Sequence, residues 1–140
     1  MRPFSFYLMA TVAVTVACRG SAAPGGTSAN VLPNTPPEAV TPARVAEGDR
    51  LFNAGACVRC HGPAGVGGAN GPNLTAGPWL HASSQFADIV RVITNGVPKE
   101  QVRDASRRFG MNPRGGPMNL TDDQVQAVAA YVWNISRKKG

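Results

Sequence analysis

The sequence predicts a small all-helical domain, and three stretches carry that prediction. Thr121-Asp122-Asp123-Gln124 has the form of a capping box, and Val125, Val128, Ala129 and Val132 follow at the spacing of a buried helical stripe. Ser83 or Ser84 precedes a second stripe, Phe86, Ile89, Val90 and Ile93, which Asn95-Gly96 stops. Cys57, Cys60 and His61 fall at i, i+3 and i+4, so one helical turn brings them to a shared face. No stretch of the 140 residues alternates convincingly between apolar and polar in the manner of a half-buried strand.

In chain order, residues 1–17 carry Arg2 and then a mostly apolar run of signal-peptide length, shorter than the roughly 20 apolar residues needed to cross a bilayer. Thr15-Val16-Ala17-Cys18 resembles a bacterial lipobox, with Thr15 where leucine is usual. Cleavage before Cys18 would make it a lipidated N-terminus and account for an odd third cysteine in an oxidising compartment. Ordinary cleavage nearby, or a short uncleaved anchor, is the alternative. Residues 18–42 hold five prolines and three glycines among Ser, Thr, Ala and Asn, a flexible tether that cannot form a packed core. The folded domain is expected over residues 43–140, opening with a helix that carries Val45, Leu51 and Phe52 and stops at Gly55.

Two cysteines three apart, with a histidine directly after the second, read as a c-type haem attachment site. Each thiol adds across a vinyl group, and the imidazole takes one axial position on iron. The expected cofactor is one haem c, bound covalently through Cys57 and Cys60, with His61 as a metal ligand. The bland readings are a disulfide, a redox dithiol or half of a zinc site. Zinc would have to draw on Cys18 and His81, which form no second pair. Export agrees with the haem reading, because c-type haem is attached outside the bacterial cytoplasm.

Five glycines and two prolines make residues 62–72 a loop. Pro98 is expected to open a helix to about Arg108, with Val102, Ala105 and Phe109 as its apolar stripe. That helix would align Lys99, Arg103 and Arg107 as a basic stripe. Residues 110–119 are again irregular. The net charge of +6 suits acidic partners. Nucleic acid is disfavoured, since the cations are scattered and no recognition motif accompanies them.

Taken together, residues 43–136 resemble a class I cytochrome c, in particular the small bacterial c-type domains that serve terminal oxidases and dehydrogenases as electron-transfer subunits. The resemblance runs through Gly48 and Phe52, the Cys57 to His61 motif, Gly71-Pro72-Asn73-Leu74-Thr75, Trp79-Leu80, Ile93-Thr94-Asn95-Gly96, Gly115-Gly116 and Ala129-Ala130-Tyr131-Val132. It implies the class I cytochrome c fold, helices wrapped around one covalently attached haem, with Gly48 letting the first helix approach the helix bearing Tyr131. It also implies that the Pro72 carbonyl accepts a hydrogen bond from His61, and that Trp79 donates to a haem propionate unless it simply fills the core. Met111-Asn112-Pro113-Arg114-Gly115-Gly116 resembles the family's methionine loop, with Asn112 where proline is usual. Met111 is therefore the expected sixth ligand, ahead of Met118, a packing residue, and of His81, a loop histidine. Arg114 is expected to pair with a propionate.

Iron held by His61 and Met111 would have no open position for a reactant, which favours electron transfer over catalysis. The chain also lacks a nucleophile pair, a second metal cluster or a nucleotide loop. The function implied is a periplasmic-side electron carrier between respiratory or dehydrogenase partners, anchored by lipid, with acidic redox proteins as partners and neither nucleic acid nor a small-molecule substrate. The alternative is a haem enzyme or gas-binding sensor with an open axial position.

Overall fold

Proline at the first position of a helix and threonine before it are both start signals, and the chain uses them together. The computed structural model describes residues 37–77 and 79–137. The leader, Cys18 and residues 18–36 of the expected tether lie outside the described residues. Thr41 Oγ1 accepts the Arg44 amide proton at 3.2 Å and caps helix α1, Pro42–Ala54. Val40 packs on the core, so the folded part begins a few residues before Ala43. Helix α2, Cys57–His61, follows after two residues. Helix α3 is Phe86–Asn95, and Gly96 ends it at φ 67°. Helix α4 is Asp122–Ile135, opened by the capping box between Thr121 and Gln124. Among the described residues there is no strand beyond a single antiparallel bridge, Val97 with Met111. None of the helices among the described residues is long and apolar enough to cross a membrane.

α4 is the centre of the packing. Val125, Val128, Ala129 and Val132 are buried as the stripe requires, and Ala127, Ala130, Tyr131, Trp133 and Ile135 are buried as well. A one-sided stripe underestimates this burial because α1 and α3 both pack on α4. α1 contributes Phe52, 1% exposed, whose ring lies 5.3 Å from that of Tyr131. Full burial of such a ring contributes about 1.5–3 kcal/mol. A Cβ on Gly48 would land on the Ala127 carbonyl and 2.8 Å from the Tyr131 Cβ, so glycine is what lets α1 and α4 cross this closely.

The helix expected from Pro98 to Arg108 is a correction. Only Lys99–Gln101 forms a single tight turn, and Val102 is extended at ψ 115°. Asp104 Oδ1 takes the Ser106 amide and hydroxyl protons at 3.0 and 2.6 Å, a local alternative to helical hydrogen bonding. At its base the loop is closed by Val97 and Met111, which exchange two backbone hydrogen bonds of 2.8 Å. The basic stripe disappears with the helix. Lys99 Nζ donates to the Arg107 carbonyl, Arg103 Nη1 to the Leu80 carbonyl at 2.9 Å, and Arg107 turns towards residues 68–71.

Candidate haem site

α2 is barely more than one turn, yet it carries Cys57, Cys60 and His61 together. Both cysteines are free thiols and partly accessible, so no disulfide claims them. Burial pushes the Cys57 thiol up, the opposite of the depressed value that activates a dithiol oxidoreductase. Among the described residues no group of three or more His, Cys, Asp or Glu is placed to hold a metal ion.

His61 is oriented from behind. Its Nδ1–H donates to the Pro72 carbonyl at 3.1 Å, leaving Nε2 as the free ring nitrogen. Burial, with the Arg107 charge adding to it, holds the imidazole below its ordinary value despite the opposing hydrogen bond to Pro72, so the ring is neutral near pH 7, the form that binds metal. The loop that brings Pro72 here passes very close to α2: a Cβ on Gly71 would lie 2.7 Å from the Cys60 carbonyl and 2.8 Å from His61 Nδ1. Two free thiols, a neutral imidazole with its second nitrogen tied to a carbonyl, and a glycine-lined loop make a donor set that fits haem c.

The two methionines are placed differently. Met111 is half-buried against the core, its backbone fixed by the bridge to Val97. Met118 Sδ accepts the Ala56 amide proton at 3.1 Å, and its thioether fills the space that a Cβ on Gly55 would need. Met118 is thus engaged at the start of α2 as packing. His81 is engaged too: its Nε2 accepts the Arg103 amide proton at 3.2 Å.

Trp79 and Arg114, the two residues expected at the propionates, have protein partners here. The Trp79 indole N–H, that ring's single donor, goes to the Asn73 carbonyl at 2.8 Å and braces the loop that carries Pro72. Arg114, at φ 49°, donates through Nη1 to the Leu120 carbonyl at 2.9 Å and through Nη2 to Asp122 at 2.7 Å. It thereby ties the methionine loop to the start of α4. Replacing Arg114 with alanine should lower stability by about 1 kcal/mol, discounted for its partial exposure, and leave the visible spectrum unchanged; thermal melts monitored in the Soret and far-ultraviolet bands check both parts. Sequence reading also missed Arg107, whose partners lie 36 to 39 residues away and leave no local signal.

Comparison with known proteins agrees with the fold. Residues 43–132 match the family described as cytochrome c oxidase, cbb3-type, subunit III. The chain is 35% identical over 95 residues to the cbb3-type cytochrome c oxidase subunit CcoP of Rubrivivax gelatinosus, covering 68% of this chain and 27% of that one. It is 35% identical over 86 residues to the thiosulfate dehydrogenase electron acceptor of Stutzerimonas stutzeri (strain A1501), covering 59% of this chain and 34% of the other. The chain therefore spans about a quarter to a third of the length of these relatives. No solved structure matches it. With an all-helical class I cytochrome c fold and a Cys57-Val58-Arg59-Cys60-His61 turn on α2, the chain belongs to the cbb3-type cytochrome c oxidase subunit III family of c-type cytochrome domains.

Proposed function

We propose that this protein is an exported, periplasmic-side electron carrier with a single haem c. The observation that carries this reading is the hydrogen bond from His61 Nδ1 to the Pro72 carbonyl, which fixes a half-buried neutral imidazole with one nitrogen left to bind iron. When bound, haem c supplies a one-electron Fe(II)/Fe(III) couple. Cys57 and Cys60 would hold it through thioethers, with His61 and Met111 as the two donors to its iron. Filling both axial positions excludes reactants, and a thioether donor raises the reduction potential. The names of the relatives, an oxidase subunit and the electron acceptor of a dehydrogenase, support respiratory partners of the same kind. Lipidation at Cys18 and a tether over residues 18–36 would hold the domain at the membrane surface while letting it reach those partners.

Acidic redox proteins are the partners proposed. With the basic stripe gone, the cations suited to docking are exposed Arg59, on α2 itself, and Arg108, stacked 5.3 Å over the exposed Phe109 ring. Electron exchange with an acidic partner should slow several-fold between low and high salt, as stopped-flow mixing would record.

Carbon monoxide titration of the reduced protein tests the carrier reading. The wild type should show haem bands and bind the gas poorly at neutral pH. Met111→Ala should bind it on the order of a hundredfold more tightly, the gain expected when a competing internal ligand that occupies about 99% of sites is removed. Met118→Ala should behave as wild type. Tight binding by the wild type would instead favour a sensor or enzyme with open iron.

A further inference from the structure

The loop from Pro98 to Gly110 does more than connect α3 to the methionine loop. It ends at Met111, whose backbone is locked to Val97. From its middle, Arg107 reaches across to the loop that orients His61: Nη1 donates to the Gly68 carbonyl at 2.5 Å and to the Gly71 carbonyl at 3.2 Å. Asp104 holds the guanidinium from the other side, with Nε to Oδ2 at 2.9 Å, and the Arg107 side chain is only 24% exposed. Gly71 immediately precedes Pro72, the acceptor for His61. One element thus touches the supports of both residues assigned as axial donors.

We propose that Arg107 is a positioning residue for the His61 imidazole, clamping the carbonyls of Gly68 and Gly71 so that the Pro72 carbonyl stays on Nδ1, and setting a fixed positive charge beside that bond which raises the reduction potential. The proposal rests on the carrier reading above. A partly buried guanidinium is screened less than a surface charge, and its rigid fork lets the two Nη1 protons serve the two carbonyls while Nε–H holds Asp104. A nearby cation disfavours the ferric state, which carries one more positive charge than the ferrous.

Arg107→Met, Arg107→Lys and Asp104→Asn test this in the haem-loaded protein, by redox titration and by the exchange lifetime of the His61 Nδ1 proton in nuclear magnetic resonance. Arg107→Met should lower the ferrous-to-ferric ratio at fixed potential about tenfold, a shift of about 59 mV, and shorten the proton lifetime. Arg107→Lys keeps the charge and loses the fork, so the potential should recover and the lifetime should not. Asp104→Asn leaves the cation uncompensated and should move the potential up. A merely structural clamp would lower the melting temperature and move neither readout. A six-coordinate Arg107→Met protein with unmoved potential and lifetime overturns the proposal; if that variant does not fold, an unmoved or lowered potential in Asp104→Asn overturns it. Wild-type protein without haem bands overturns the carrier reading along with it.

Discussion

Serine at both Cys57 and Cys60 should give a protein that retains no haem after denaturing electrophoresis and haem staining, and that melts on the order of 20 °C lower than the wild type. The two thiols share α2 with His61, are free of any disulfide, and are partly accessible to a large planar group. Serine preserves their size and the turn, so the change removes the bonds and little else. A ligand that binds only the folded state at about a thousandfold above its dissociation constant stabilises it by about 4 kcal/mol. For a domain near this size each 1 kcal/mol corresponds to about 4–8 °C. The effect should be large here because the loop over residues 62–72 is rich in glycine and has few apolar side chains of its own to hold it down. Each single replacement leaves one link and should fall between the extremes. Haem that stayed with the doubly substituted chain through denaturation would refute attachment at α2.

Gly48→Ala should destabilise the domain by about 2 kcal/mol, and Gly48→Val by more. Alanine at a helix interior normally gains about 1 kcal/mol over glycine. Here the added Cβ meets the Ala127 carbonyl, a backbone atom of α4 that cannot rotate away, and Tyr131 Cβ at 2.8 Å. Overpacking of this kind costs about 1–3 kcal/mol and occasionally more, so the clash outweighs the propensity gain. The helices must separate, which also disturbs the Phe52 and Tyr131 contact beside His61, whose ring lies 6.3 Å from that of Phe52. Circular dichroism melts of the two variants should therefore show a loss of roughly 10 °C for alanine, and more for valine. A melting temperature at or above wild type for alanine would mean that the two helices do not cross at Gly48.

Where the information is local, the sequence is enough. The capping box at Thr121 and the spacing after it place α4, Pro42 and Gly55 bracket α1, and Asn95-Gly96 ends α3, because caps and periodicity act within a few residues of one chain segment. The Cys57-Val58-Arg59-Cys60-His61 turn is legible for the same reason. Two local inferences failed: Gln85, with no side-chain cap bond, stands before α3 where Ser83 or Ser84 was expected to cap it, and the helix after Pro98 is lost where a side chain competes with the backbone, Asp104 capturing Ser106 while Val97 with Met111 pulls the segment shut.

By itself, then, the sequence determined α1 to α4, the Cys57, Cys60 and His61 turn and the family's fold. The tertiary structure decided which polar group serves which neighbour: Trp79 and Arg114 bind backbone carbonyls where propionates were expected, and Arg107 leaves a presumed helix face to grip Gly68 and Gly71. The physical reason is reach. Helical periodicity is fixed by neighbours three and four residues away, whereas an indole or guanidinium donor takes whichever unsatisfied carbonyl the packing of α1, α3 and α4 happens to bring within about 3 Å.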